Sequence, residues 1–527
     1  MAEIQKMGTA AKAPAGFAPG AVAGIPWMVA TKLLLFPLYF GISILLVRKL
    51  GKEQYGVFSL CRNISEYLVV LCALGLNTAI VRFVPEMVLA RNKAGLRRFL
   101  WKTAALQAAA VGLAMAALWW GTPLFSKWFR VPFGGLLVVS GLLTAAQLGK
   151  DYLNDTFTAL FRSRLVSVLS MCQALLWMGL LWAGLAWQPT VGMALGAQVA
   201  SMLPVSAAGA WLLIVLIRKW DWRSPPLGVG RERTLKLALP SMANTMFRML
   251  MLKYTEVFFL GLYWTPAVVG IYDLGYSMPF IAMTLIPSAL QTLLSSAFSE
   301  AYSRDPNCLG RLITAVYKMM ILMVLPLAAF GLFFSSRAVV LLYGEAMSAA
   351  GPLAAVFCVL HALPLISMPL SMAITAREKV LRMLPYMMMQ VGVNLLLDWL
   401  LIPRWGMTGA VWAVALTFVA TIPIRLMAVR RILGAIYFPT AFCLRIGLMV
   451  AILAGLLSFL APYLNLAGLF ALAAAYLAVY VALVKGLRVV GPADWDDLRL
   501  LAAGKMATVL EKVIRRPASG RPGGGAA

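Results

Sequence analysis

Long apolar stretches recur along the chain and alternate with short polar segments. Fourteen of them approach the roughly 20 residues that a helix needs to cross a bilayer. They cover residues 24–47, 55–80, 103–120, 133–156, 166–187, 191–217, 237–262, 268–298, 316–335, 351–374, 384–402, 407–427, 444–464 and 466–485. Because a helix satisfies its own backbone hydrogen bonds in lipid, the pattern predicts an all-α polytopic membrane protein with about 14 transmembrane helices.

Composition supports this class, since 62% of the residues are hydrophobic and 12% are charged. A net charge of +27 raises the question of nucleic acid, but the basic residues follow the spans. If the N-terminus lies inside, 34 of the 46 lysines and arginines fall in or beside inside segments and 7 in outside loops. This bias predicts a multi-pass protein with both termini inside and no nucleic-acid partner.

Four basic residues interrupt the apolar spans: Lys32, Arg62, Arg248 and Lys253. A cation at the bilayer centre costs about 2.5–3.5 kcal/mol on insertion scales, so such residues usually face a polar interior. Arginine also binds phosphate oxygens in a bidentate manner. These four residues are therefore the predicted substrate-binding residues, for an anionic group in a central cavity.

Carboxylates nearby give two of these cations an alternative interpretation. Glu66 follows Arg62 by four residues, and Glu256 follows Lys253 by three, so each pair shares one helix face. Such a pair is either structural or part of a binding site. Arg248 has no carboxylate within one turn in the sequence, which makes it the strongest candidate for substrate contact.

If these cations line a path through the membrane, movement of an anion along it needs a source of energy, and the sequence has no GxxxxGK[ST] phosphate loop for direct use of ATP. A proton or sodium gradient is the expected source, without any other cofactor. The candidate coupling carboxylates are Glu66, Glu256, Asp273 and Asp398. Each of them has the alternative role of neutralising a nearby cation. The cysteines form no CxxC pair and His361 stands alone, so no metal site and no catalytic residue are predicted.

The chain also aligns with itself at an offset of about 214 residues. Residues 55–60 correspond to 269–274, Glu86 to Glu300, and 191–193 to 405–407, while Arg162 comes within one residue of matching Arg377. The period holds six spans, and an even number preserves orientation, so the halves are parallel repeats. The sequence therefore predicts two six-helix lobes with a cavity between them, plus two extra C-terminal helices.

This organisation divides the chain into six segments. They are a flexible cytoplasmic N-terminus (1–23), an N-lobe of spans 1–6 (24–217), a cytoplasmic linker (218–236), a C-lobe of spans 7–12 (237–430), spans 13–14 (431–485), and a cytoplasmic tail (486–527). Within the tail, residues 492–516 have the pattern of an amphipathic surface helix, and the composition of residues 517–527 predicts disorder.

Two segments carry a family resemblance. Residues 48–86 contain a basic-Leu-Gly motif, then Tyr-Gly, Gly-Leu, Arg and Pro-Glu in this order. Residues 342–344 (Leu-Tyr-Gly) and 394–410 supply a second set, with Asn followed by Ile-Pro-x-x-Gly-x-x-Gly-Ala. Over about residues 24–430 the chain resembles the polysaccharide-biosynthesis, O-antigen-type oligosaccharide flippases of the multidrug/oligosaccharidyl-lipid/polysaccharide exporter superfamily.

The resemblance implies a secondary transporter and not an enzyme. Its substrate would be an undecaprenyl-pyrophosphate-linked oligosaccharide, moved from the cytoplasmic to the outer leaflet of the bacterial inner membrane by ion-coupled alternating access. Such flippases serve lipopolysaccharide, O-antigen or exopolysaccharide synthesis beside polymerases and glycosyltransferases. One feature departs from the family pattern: the acid of span 7, commonly Asp, is Glu256 here and is offset by about one turn.

Three other functions compete with this interpretation. A flippase for the peptidoglycan lipid precursor would use the same fold and the same charge logic. A multidrug exporter of the same superfamily often takes cationic substrates, which the intramembrane arginines disfavour. A membrane glycosyltransferase or polymerase would need a sizeable acidic outside loop, but the longest outside loops, 121–132 and 336–350, hold one acid, Glu345.

Overall fold

The computed structural model describes residues 17–220, 230–251, 253–304, 309–377, 379–434 and 438–486. Within these residues the chain is helical with short connections, and no strand occurs. The predicted all-α class is confirmed. The predicted amphipathic helix 492–516, the predicted disordered end 517–527 and residues 221–229 of the predicted linker lie outside the described residues. The first helix begins at Phe17, within the segment 1–23 predicted to be flexible.

Fifteen α-helices follow one another in the described residues. They are α1 (Phe17–Ala73), α2 (Leu76–Leu89), α3 (Lys93–Phe129), α4 (Leu136–Ala159), α5 (Ser163–Trp187), α6 (Val191–Arg218), α7 (Arg231–Leu250), α8 (Tyr254–Tyr263), α9 (Pro266–Arg304), α10 (Leu309–Tyr343), α11 (Ala350–Ile366), α12 (Met368–Ala376), α13 (Leu384–Leu433), α14 (Thr440–Ser458) and α15 (Leu466–Gly486). In the part of the chain that the structure describes, ten helical stretches are long and apolar enough to cross a membrane.

Two of the long helices each carry a pair of predicted spans. The backbone of α1 leaves helical geometry at Gly51, where φ is 71°, and that of α13 does so at Gly406, where φ is 56°. Only glycine adopts such values without a steric cost from Cβ. The glycines of the basic-Leu-Gly and Ile-Pro-x-x-Gly motifs therefore mark the turns between spans 1 and 2 and between spans 11 and 12.

Three other spans that the sequence predicts as single helices are divided. Span 2 breaks between α1 and α2, where Leu74 and Gly75 both have positive φ. Span 7 breaks between α7 and α8, and span 10 breaks between α11 and α12 at Ser367. Hydropathy averages over a window and does not register a one-residue change of backbone conformation, so the prediction of continuous helices is wrong at these points.

The chain forms two compact units, Met1–Val269 and Gly270–Ala527. Helices α7 and α8 pack within the first unit. Asn63 on α1 donates a hydrogen bond of 2.8 Å to the carbonyl of Tyr254 on α8, and Gly75 lies against the backbone of Ala238 on α7. The lobe boundaries inferred from the sequence repeat stay a prediction.

In the second unit, α14 and α15 pack on α10, and α15 compensates for a proline in α10. Pro326 has no N–H, so the carbonyl of Leu322 one turn earlier loses its helical partner. The hydroxyl of Tyr480 on α15 donates to that carbonyl at 2.8 Å, and the hydroxyl of Tyr476 donates to the Pro326 carbonyl at 3.0 Å. An unpaired carbonyl in hydrocarbon costs several kcal/mol, so these tyrosines fix α15 in position.

Glu86, the glutamate of the Pro-Glu motif in residues 48–86, forms ion pairs with two arginines. Both oxygens of Glu86 on α2 accept from Arg233 on α7, at 2.8 and 3.0 Å, and Arg82 lies 3.6 Å away on the same helix face. These hydrogen bonds raise the pKa of the Arg233 guanidinium above its ordinary value. The guanidinium also lies over the ring of Phe83, 5.0 Å from its centroid. Glu86 therefore joins the beginning of α7 to the end of α2.

Reversing this pair should test the connection. Glu86→Arg places three arginines together and should lower the melting temperature of the purified protein, because like charges repel and the bidentate contact is lost. Adding Arg233→Glu should recover part of the loss. Lys236→Glu, at an exposed ion pair within α7 itself, serves as the control and should have little effect. A double variant no more stable than Glu86→Arg would contradict the role of this pair.

Candidate substrate and ion-coupling sites

All four predicted intramembrane cations lie in the first unit. Three of them are exposed: Lys32 and Arg62 on α1, and Arg248 in the last turn of α7. The fourth, Lys253, lies between α7 and α8 and is partly buried. The helix packing of this unit thus leaves three of the four cationic side chains accessible. Among the residues that the structure describes, no carboxylate lies within ion-pairing distance of Arg248.

Arg62 and Glu66 are neighbours, as their spacing predicts. The distance from Arg62 Nε to Glu66 Oε1 is 3.9 Å, and 45% of the Arg62 side chain stays exposed. Gln147 on α4 donates to Glu66 at 3.2 Å. The glutamate therefore shares its charge between a loose ion pair and an amide.

Two carboxylates of α4 extend this polar cluster. Asp151 lies close enough to Glu66 for their charges to interact, and Asp155 accepts a hydrogen bond from the side chain of Asn77 on α2. Neither aspartate is among the coupling candidates that the sequence predicts. Their four-residue spacing from each other and from Gln147 is the signal that puts all three on one face of α4.

The remaining coupling candidates are deeply buried. The exposed fraction is 2% for Glu256 at the start of α8, 5% for Asp273 on α9, and zero for Asp398 on α13. Asn394, one helical turn before Asp398, is also buried. These three acids thus lie inside the helix packing, whereas Lys32, Arg62 and Arg248 are exposed.

His361 is buried among aromatic rings, as expected for a packing role. Its ring centroid lies 4.6 Å from that of Tyr276, and its Nε2 is 3.3 Å from the Tyr276 carbonyl oxygen. The ring of Phe357 stacks on it at 5.5 Å.

The exposed guanidinium groups and the buried carboxylates can bind different partners. Exposed guanidinium groups can hold phosphate oxygens by charge-assisted hydrogen bonds. Carboxylates inside the helix packing can take up a proton or hold a small cation, which reduces the cost of a buried charge.

Comparison with solved structures identifies the fold as that of a class of multi-helix membrane transporters. A structure titled lipid II flippase MurJ, inward closed conformation, is similar with a TM-score of 0.66 at 10% identity, covering 88% of this chain and 99% of the other. An inward-facing multidrug resistance MATE family transporter of the MOP superfamily is similar with a TM-score of 0.55 at 15% identity. The match covers 76% of this chain and 99% of that transporter. A MOP superfamily transporter from Pyrococcus furiosus, described as having a binding pocket of reverse polarity, is similar with a TM-score of 0.51 at 16% identity. The match covers 78% of this chain and 96% of that transporter.

The sequence family agrees with this class. Residues 45–351 match the family described as polysaccharide biosynthesis protein, and the chain belongs to that family. It is a multi-pass membrane protein of the flippase and exporter fold. No curated protein gives a significant sequence match.

Proposed function

We propose that the protein moves a polyprenyl-pyrophosphate-linked oligosaccharide from the cytoplasmic to the outer leaflet of a bacterial inner membrane, as a secondary transporter for cell-surface polysaccharide synthesis. Membership of the polysaccharide biosynthesis family supports the substrate class, and the transporter fold supports the process. The distribution of basic residues supports an orientation with both termini in the cytoplasm.

The observation that carries this proposal is the accessibility of cations at membrane depth. Arg248, Arg62 and Lys32 are exposed in the first unit although each lies in an apolar span. A cation is retained in such a place when it has a polar or anionic partner to meet. A pyrophosphate with its sugars cannot cross about 30 Å of hydrocarbon unaided, and guanidinium groups would offset its loss of hydration.

In this proposal Arg248 is the main pyrophosphate ligand, because no described carboxylate competes for it. Arg62 assists through the exposed part of its side chain, and Lys32 and Lys253 add positive charge. The polyprenyl tail stays in the surrounding lipid.

Reconstitution tests the function directly. The full chain is placed in proteoliposomes that carry a fluorescent undecaprenyl-pyrophosphate oligosaccharide, and a membrane-impermeant quencher reports the leaflet of the label. Movement that depends on the protein supports the proposal. If only the peptidoglycan lipid precursor moves, or only cationic drugs do, the corresponding alternative replaces it. Turnover of the oligosaccharide into a longer polymer would instead indicate an enzyme.

We further propose that a proton or sodium gradient drives the movement through buried carboxylates. Asp398 is our first choice because its side chain has no exposed surface and the amide of Asn394 lies on the same face one turn away. Glu66, with Asp151 beside it, is the second choice, and Glu256 and Asp273 follow.

Asp398→Asn should reduce gradient-driven transport by about tenfold or more, because an amide neither titrates nor supplies a negative charge. The initial rate is measured in proteoliposomes with an imposed proton or sodium gradient. Glu345→Gln, at an exposed carboxylate in a connecting segment, is the matched control and should transport normally. Wild-type transport that is unchanged by ionophores would overturn the coupling proposal and leave the substrate proposal intact.

A further inference from the structure

A second basic site lies in the second unit, on the surface formed by α12 and α13. Arg425 on α13 donates from Nη1 to the hydroxyl of Ser367 at 3.0 Å and from Nη2 to the hydroxyl of Ser371 at 3.2 Å. Ser367 lies at the break between α11 and α12, and its own hydroxyl donates to the carbonyl of Pro364. Two neutral hydroxyls thus hold both arms of one guanidinium.

The positive charge of Arg425 is not balanced among the described residues. No described carboxylate forms an ion pair with it, and the titratable groups that face it are the phenols of Tyr317 on α10 and Tyr386 on α13. The same region is otherwise basic, with Arg430 and Arg431 in the last turn of α13. A guanidinium with three further N–H groups and a net charge is a ready partner for an oxyanion.

The surroundings of Arg425 are apolar and exposed. Leu363, one helical turn before Ser367, is 40% exposed, Ile424, next to Arg425 in the chain, is 39% exposed, and Ser371 is exposed as well. A soluble anion gains nothing from such a flank, whereas an amphiphile buries its chains there and presents its headgroup to the cation.

The depth of Arg425 suits a lipid phosphate. It precedes the end of α13 at Leu433 by eight residues, about 12 Å of helix. Because Arg430 and Arg431 lie near the end of that helix, Arg425 is placed where the apolar span gives way to the basic end. Long basic side chains at this position reach the interface while their stems stay in apolar surroundings.

From these observations we infer that Arg425, Ser367 and Ser371 form a binding site for the phosphate headgroup of a bilayer phospholipid, with Leu363 and Ile424 contacting its acyl chains. The exposed hydroxyl of Ser371 accepts from Arg425 and keeps its proton to donate to a phosphate oxygen. The site belongs to the second unit alone and does not depend on the proposed transport of oligosaccharide.

The test measures lipid binding to the detergent-solubilised full chain by native mass spectrometry. Phosphatidylglycerol is the probe, and a neutral galactosyl diacylglycerol is the lipid without phosphate. For the highest-affinity phosphatidylglycerol, we expect Arg425→Gln to weaken binding by about tenfold, as for the loss of one charge-assisted hydrogen bond. Galactolipid binding should not change.

Arg430→Gln is the matched control, since it removes the same charge from the same helix without touching the two serines. Ser371→Ala keeps the guanidinium and should weaken phosphatidylglycerol binding by a smaller factor, which tests the site even where Arg425→Gln folds poorly. If Arg425→Gln and Arg430→Gln weaken phosphatidylglycerol binding equally, the lipid is held by general surface charge, and the inference is overturned.

Two competition experiments identify the source of the phosphate. Displacement of phosphatidylglycerol by inorganic phosphate would assign the site to a soluble anion, and preferential binding of undecaprenyl phosphate would assign it to the transported lipid. Either result would overturn the assignment to a bilayer phospholipid. Resistance to both competitors, together with the loss in Arg425→Gln, is the expected outcome.

Discussion

Replacing Arg248 by alanine should abolish transport of the lipid-linked oligosaccharide while the protein still inserts and folds. The side chain is exposed at the end of α7 and has no described carboxylate partner, so its removal leaves no buried charge behind. The pyrophosphate, in contrast, would lose a charge-assisted bidentate contact in surroundings of low dielectric constant, where such contacts are strongest. The initial rate in proteoliposomes measures the effect.

Two variants separate this role from a loss of charge or of fold. Arg248→Lys keeps the charge without the bidentate geometry and should transport slowly but measurably. Arg231→Ala removes an exposed arginine from the beginning of the same helix and should transport normally. Near-normal rates for Arg248→Ala, with wild-type amounts of folded protein, would refute the assignment of Arg248 as pyrophosphate ligand.

The apolar pattern predicted the ends of helix α6 better than the points at which other helices break. Helix α6 (Val191–Arg218) coincides with the predicted span 191–217. The divisions at Gly75 and Ser367 fall inside spans whose apolar character continues without a change. Hydropathy reports the transfer of side chains to lipid, whereas a helix break depends on φ, ψ and the packing of neighbouring helices.

In the candidate site, too, contacts between residues close in the sequence were predicted and contacts between residues far apart in it were not. Four-residue spacing predicted that Arg62 and Glu66 would meet, because one helical turn separates them. The contact of Glu66 with Gln147 joins positions 81 residues apart. Asp155 on α4 accepts a hydrogen bond from Asn77 on α2. No spacing rule connects such positions, so the polar cluster between α1, α2 and α4 emerged only from the fold.

Gly75→Ala should be the most damaging of the glycine substitutions in the first unit. The residue combines a φ of 68° with a close approach to α7, where an added Cβ would collide with the carbonyl oxygen of Ala238. The left-handed conformation costs alanine about 1–2 kcal/mol, and overpacking adds about 1–3 kcal/mol. We expect a clearly lower melting temperature and less monodisperse protein in detergent, measured by fluorescence-detected size exclusion after heating.

Gly134→Ala isolates the two contributions to that loss. Gly134 also has positive φ, 46°, but a Cβ there would meet no atom within 4 Å. Its substitution should therefore carry the conformational cost alone, about 1–2 kcal/mol. Equal destabilisation by the two variants would mean that α2 and α7 do not pack as closely as Gly75 and Ala238 indicate. A larger loss at Gly75 would mean that the Gly-Leu motif is required for this helix contact, since the second half of span 2 can then approach α7 only through a residue without a side chain.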